Sequence, residues 1–301
     1  MPVWRAIAGQ SFAQIRRDIE MSSAELTTPQ AAVLTCPPKP GFVPQRKMER
    51  GALAPIRALA KRQVLAALDR GWFGTTPLET HVVMCGFPRS GTTLLQLMIE
   101  TAYPAARTFH RERAALAAIQ NTWPGRHAMM ITKRPDDIFW LDDVRKRYLG
   151  RRPKPLFVIS VRDPRAVLTS IHVDKPGYCV PAVKWRAVCD HIHYNLQFDD
   201  VAIVEYRDLI ECPSKVQERL AAFIGTSPEG RFEDYLARVP GDFDTRALNG
   251  VRPLDASRLD RWRAPKHRPR IQELLRELPE LPERLIEMGY ERDTAWVREY
   301  V

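Results

Sequence analysis

The stretch His81-Val-Val-Met-Cys-Gly-Phe-Pro-Arg-Ser-Gly-Thr-Thr-Leu-Leu-Gln96 decides how this chain folds. The apolar run Val82 to Cys85 reads as a buried parallel strand, because such strands are apolar on both faces and do not alternate. The run breaks into Gly86-Phe-Pro-Arg-Ser-Gly91, and a helical pattern follows from Leu94 to about Thr101. A strand, a glycine-bounded loop and a helix N-terminus in this order make a cradle for an anion. Successive backbone N–H groups converge there, and the helix dipole adds positive potential.

Gly86 and Gly91 have the spacing of the triphosphate-binding pattern G-x-x-x-x-G-K-[ST], but Thr92 stands where that pattern places its lysine. Losing that lysine removes the contact to the β- and γ-phosphates and argues against Mg²⁺-assisted phosphoryl transfer. A cation reappears inside the loop as Arg89.

Outward from this loop, apolar runs at Met129–Thr132, Leu156–Val161 and Val201–Tyr206 read as further strands. Helical patterns separate them at about 138–148, 165–173 and 180–197. Alternation of this kind predicts an α/β fold, a central parallel sheet with helices on both faces. Ligands of such sheets bind outside the carboxyl ends of the strands. Arg89, Lys133 and Arg162 all fall just past strand ends, so a shared crevice is expected there.

The first 75 residues read differently. Trp4, Ile7, Ala8, Phe12, Ile15 and Ile19 have helical spacing, fitting a helix packed on the domain or lying on a membrane surface. Pro29, Pro37, Pro38, Pro40 and Pro44 mark an extended linker over 27–50, and a second helix is expected over about 52–70. The expected division is therefore a helical extension with a Pro-rich linker over 1–75 and an α/β domain over 76–301.

Composition narrows the partners. The 301 residues carry a formal charge of +10, which favours an anionic ligand. The basic residues are spread rather than blocked into a tail, which speaks against nucleic acid. The cysteines Cys36, Cys85, Cys179, Cys189 and Cys212 form no C-x-x-C pair and no metal-ligand spacing, so no metal is expected and a reducing, cytoplasmic setting fits. No run approaches the ~20 apolar residues of a membrane span.

A second motif joins the loop: Arg162-Asp-Pro-Arg-Ala-Val-Leu-Thr-Ser170, an arginine and a serine eight positions apart at a strand-to-helix turn. Together, Pro88-Arg-Ser-Gly-Thr-Thr93 and Arg162…Ser170 resemble the sulfotransferase family that uses 3′-phosphoadenosine 5′-phosphosulfate. Thr132-Lys-Arg-Pro135, Val204-Glu-Tyr-Arg-Asp-Leu209 and Ser257-Arg-Leu-Asp-Arg-Trp-Arg263 are further echoes in family order, spanning roughly 80–290.

The resemblance implies a P-loop-like sulfotransferase fold and sulfuryl transfer by in-line displacement to a hydroxyl or amine, with no metal. It assigns Pro88, Arg89, Ser90, Gly91, Thr92 and Thr93 to the 5′-phosphosulfate, and Arg162 and Ser170 to the 3′-phosphate. Lys133 goes beside the transferring group, and Arg261 and Trp262 to the nucleotide. Trp262 fits a core position equally well, and the Arg-Lys-Gly ending of the animal cytosolic branch is absent.

For the general base the resemblance points to the segment after the loop helix, Thr108-Phe-His-Arg-Glu-Arg113, which offers Glu112 and His110. Asp136, Asp137 and His172 are weaker candidates. The acceptor, a small molecule, carbohydrate or lipid, is expected to meet 107–128, 172–186 and 240–256, where Phe109, Trp123, Trp140, Tyr178 and Trp185 line a pocket or serve the core. The competing readings are a divergent P-loop kinase or triphosphatase and a nucleotide-binding module without catalysis.

Overall fold

The computed structural model describes residues 38–44, 54–121, 127–171, 176–241, 243, 248 and 250–301. The expected N-terminal amphipathic helix, most of the Pro-rich linker, His172 and Trp123 lie outside the described residues.

The chain divides into two compact units, the first containing Phe42–Val161 and Asp200–Ala256. It holds helix α1 (Ala54–Asp69) and four parallel strands, β1 (Thr80–Gly86), β2 (Met129–Lys133), β3 (Lys154–Val161) and β4 (Val201–Glu205), in the order β2-β1-β3-β4. Helices flank the sheet: α2 (Thr92–Ala102), α3 (Ala115–Asn121) and α4 (Leu141–Tyr148). The second unit includes Arg162–Asp199 and Ser257–Val301 and contains α5 (Pro164–Leu168) and α6 (Ala182–Asn195). After β4 the first unit continues with α7 (Tyr206–Glu211) and α8 (Pro213–Ile224); the second ends with α9 (Arg268–Glu277) and α10 (Leu281–Glu287). Among the described residues no helix is long and apolar enough to cross a membrane.

The strand order explains the position of the loop. From β1 the chain steps to β2 on one side, then returns across β1 to β3 and β4 on the other. The ends of β1 and β3 therefore form the topological switch point, where sheets of this kind leave a crevice. β1 is buried along nearly its whole length, as a strand between two neighbours should be. β4, at one edge, alternates between buried and half-buried positions.

The other edge, β2, is fully buried. The irregular segment 107–113 covers it: Arg107 N–H donates to Met129 O (2.9 Å), Ile131 N–H to Arg107 O (2.8 Å) and Arg113 N–H to Lys133 O (3.0 Å). This satisfies an edge that would otherwise present unpaired backbone.

Several local expectations need correction. The helix expected over 165–173 ends at Leu168. Thr169 Oγ1 donates to Arg165 O (2.7 Å), and Ser170 N–H turns back to Val167 O (3.2 Å), so hydroxyl and turn bonds take over the helical ladder. The strand expected to reach Tyr206 stops at Glu205, whose carboxylate accepts from Arg207 N–H and Asp208 N–H and starts α7 there. The helix expected from 138 opens as a 3₁₀ turn, Pro135–Trp140, before α4. Helices α3, α7, α8, α9 and α10 had no counterpart in the sequence expectations.

In the first unit, His81 is fully buried, hydrogen-bonded to Tyr148 Oη (2.7 Å) and Thr132 Oγ1 (2.8 Å). Burial first, and the charge of Arg151 second, push its titration down to about 3. The unfolded chain takes up this proton near its ordinary value and the folded chain does not, so stability is lost as pH falls below about 6.5. Asp137 acts oppositely: burial pushes its carboxyl up to about 6, so its contribution falls as pH rises between about 4 and 6. A variant comparison isolates His81. The stability advantage of wild type over His81→Gln is expected to shrink by up to about 1.4 kcal/mol per pH unit between pH 6.5 and 4, read from urea unfolding at each pH. A difference independent of pH would show that His81 is not held neutral.

Candidate functional site

The loop between β1 and α2 has positive φ at Gly86 (124°), Arg89 (69°) and Gly91 (87°). At Gly86 the requirement is space. An added Cβ would stand 2.3 Å from Ser160 O, across the β1–β3 pairing. At Gly91 both space and conformation matter, because a Cβ would meet the Tyr206 ring at 2.3 Å. Arg89 is the one described non-glycine residue with positive φ. Such a backbone costs of order 1 kcal/mol and is held where the surroundings over-determine it.

Those surroundings are visible. Phe87 N–H donates to Ser160 O (3.2 Å), Ser160 Oγ to Ser90 O (2.8 Å) and Ser90 Oγ to Phe87 O (2.6 Å). The end of β3 thus ties down both sides of the loop, and the Ser90 hydroxyl spends its proton on the loop's own backbone. The loop delivers the chain into α2, whose first N–H groups have no partner within the helix and whose dipole favours an anion. Thr92 and Thr93, both buried, begin that helix.

Lys133, the last residue of β2, is 5% exposed, and its ammonium reaches this first turn. Nζ donates to Thr93 Oγ1 (3.2 Å) and to Glu112 Oε1 (3.1 Å). Three residues expected at the site therefore meet: Thr93 from the cradle, Lys133 from a strand end and Glu112 from the segment along β2. His110 lies on the same segment, with its ring 6.4 Å from that of Phe243. Asp137, a weaker candidate for the base, is instead occupied in capping α3: its Oδ2 accepts from Ala115 N–H (2.7 Å).

Two residues here were not expected. Gln96 and Glu100 are buried on α2, following Thr93 at three and seven positions and so on the same helical face. Gln96 Nε2 donates to Glu100 Oε1 (2.8 Å) and to Phe109 O (2.7 Å), pinning 107–113 to the helix. Burial pushes the Glu100 carboxyl above its ordinary range, opposed by Gln96, His110, Thr108 and Lys133. Gln96 and Glu100, the amide and the carboxylate of an otherwise apolar and threonine-bearing helix, were the signal available in the sequence.

Arg162, Ser170, Arg261, Trp262 and Trp185 belong to the second unit. Ser170 follows α5, and its carbonyl accepts from Cys179 N–H (2.8 Å). Arg162 is half-buried, one residue before the α5 cap Asp163. Arg261 is exposed. Trp262 is buried, with the guanidinium carbons of Arg165 and Arg263 at 3.9 and 4.5 Å from its ring centroid. Arg165 also pairs with Asp163 (2.8 Å) and Glu291, and lies 4.9 Å from the Trp296 ring. Trp185 is a core residue at 1% exposure.

No family model matches the chain, and no curated protein matches it. Among the solved structures to which this chain is similar are two sulfotransferase domains. The one from the Synechococcus PCC 7002 olefin synthase is 17% identical, covers 62% of this chain and 88% of its own, and has a TM-score of 0.46. The one from the curacin biosynthetic pathway is 14% identical, covers 68% and 98%, and has a TM-score of 0.42.

Gly91 offers a direct test of the loop geometry. Gly91→Ala is expected to lower stability by about 2 kcal/mol, combining a left-handed backbone with a clash against Tyr206. In a Tyr206→Ala background the clash disappears and only the backbone strain of about 1 kcal/mol remains. Equal losses in both backgrounds, measured by urea unfolding, would show that Tyr206 does not confine the loop.

Proposed function

We propose that the protein is a sulfotransferase that moves a sulfuryl group from 3′-phosphoadenosine 5′-phosphosulfate to a hydroxyl or amine of a small-molecule, carbohydrate or lipid acceptor. The observation that carries this reading is Lys133 Nζ seated on Thr93, in the first turn of an anion cradle, with Glu112 beside it. Cation, cradle and carboxylate in one place are what an in-line sulfuryl transfer needs. The donor's anionic end also suits a loop that has exchanged the triphosphate-type lysine for Arg89 and keeps side chains away at Gly86 and Gly91.

Under this reading the N–H groups of the loop and of the first turn of α2 bind the 5′-phosphosulfate. Arg89 and Lys133 stabilise the negative charge that grows on the leaving phosphate oxygen. A bond forms from the acceptor oxygen or nitrogen to sulfur as the bond from sulfur to the phosphate oxygen breaks, and the electron pair stays on the bisphosphate product. The acceptor's proton goes to Glu112, with His110 the alternative. The resemblance assigns the 3′-phosphate to Arg162 and Ser170 and nucleotide contacts to Arg261 and Trp262, and these assignments are part of the proposal.

Ligand-induced thermal shift tests it, since a ligand that binds only the folded state raises its stability. Stabilisation by 3′,5′-adenosine bisphosphate without Mg²⁺ is expected, weakened about tenfold or more in affinity by Arg162→Ala or Ser170→Ala. Stabilisation by ATP with Mg²⁺ and not by the bisphosphate would replace this reading with a phosphoryl-transfer one. With an acceptor in hand, Glu112→Gln should slow turnover by about a hundredfold or more and His110→Ala by far less. The reverse ranking would move the base to His110.

A further inference from the structure

We propose that Glu112 is an internal counter-anion that occupies Lys133 until the donor arrives, and that donor binding frees its carboxylate to act on the acceptor. This inference rests on the sulfotransferase reading and adds an order of events to it. The pair joins unequal partners: Lys133 is 5% exposed and held at the end of β2, whereas the Glu112 side chain is 56% exposed. Of the two, Glu112 has the freedom to move aside. Lys133 already bonds Thr93 (3.2 Å), so its ammonium stands at the edge of the cradle without displacement.

The pairing is built into the fold. Gln96 holds Phe109 O (2.7 Å) on one side of Glu112, and Arg113 N–H donates to the Lys133 carbonyl (3.0 Å) on the other. Segment 107–113 can therefore keep its place while the Glu112 side chain swings. While Glu112 Oε1 accepts from Lys133 Nζ, that oxygen is taken up by the lysine and the ammonium is already engaged by an anion. An anion that takes the lysine activates both groups at once. Before the donor binds, neither is available, which keeps the base away from any acceptor already present.

Binding measurements decide this without an acceptor. Affinity for 3′,5′-adenosine bisphosphate, and separately for inorganic sulfate, is measured by calorimetry in wild type, Glu112→Gln, Lys133→Ala and the double variant. Lys133→Met replaces Lys133→Ala if the alanine variant does not fold. Removing the counter-anion is expected to tighten anion binding about three- to tenfold, the scale of a partly exposed ion pair. In the Lys133-substituted background that gain should vanish, because the carboxylate acts through the lysine.

A gain that persists without Lys133 would reduce Glu112 to a repulsive field and overturn the proposal, as would the absence of any gain. If wild type binds no bisphosphate, the donor reading fails. The sulfate cycle then still decides whether Glu112 competes for Lys133.

Discussion

Where β1 and β3 end side by side there is no room for a side chain: a Cβ on Gly86 would stand 2.3 Å from the Ser160 carbonyl. This close approach lets Phe87 N–H reach Ser160 O and the Ser160 hydroxyl reach Ser90 O, so the loop is bound to the neighbouring strand along both of its sides. The left-handed backbone at Arg89 and Gly91 follows from having to turn within that confinement and still enter α2. Tyr206, placed by the Glu205 cap at the start of α7, closes the far side against Gly91. The loop's shape therefore comes from backbone packing.

Helix α2 contributes more than its N-terminus. All eleven of its residues are buried, yet it carries Thr93, Gln96 and Glu100 down one face. Burying an amide and a carboxylate is costly unless they are hydrogen-bonded. Here the amide of Gln96 spans from Glu100 to the backbone of Phe109 and thereby fastens the segment that presents Glu112 to Lys133. The same segment covers the edge of β2. One stretch of chain thus seals the sheet and supplies the carboxylate, which ties the geometry of the site to the completeness of the sheet.

In the second unit Arg165 has a comparable organising role. Its buried guanidinium is shared between Asp163 and Glu291 and lies against Trp262 and Trp296. A buried charge of this kind is tolerated because it is paired and stacked. Its four partners come from three separate stretches of sequence, so it links the start of α5 with two later segments of the same unit.

The sequence by itself determined the parallel sheet and the tight loop between β1 and α2, because these depend on local patterns: unbroken apolar strands and glycines at a set interval. It also marked Lys133 and Glu112 as separate candidates. Their pairing, the Gln96–Glu100 strut, the capping use of Asp137 and the early end of α5 depend on residues far apart in the chain or on competition among nearby hydrogen bonds. Periodicity carries no record of either. Only the folded chain could decide which carboxylate Lys133 would meet, since that contact exists because segment 107–113 runs along β2, and no spacing in the sequence encodes that course.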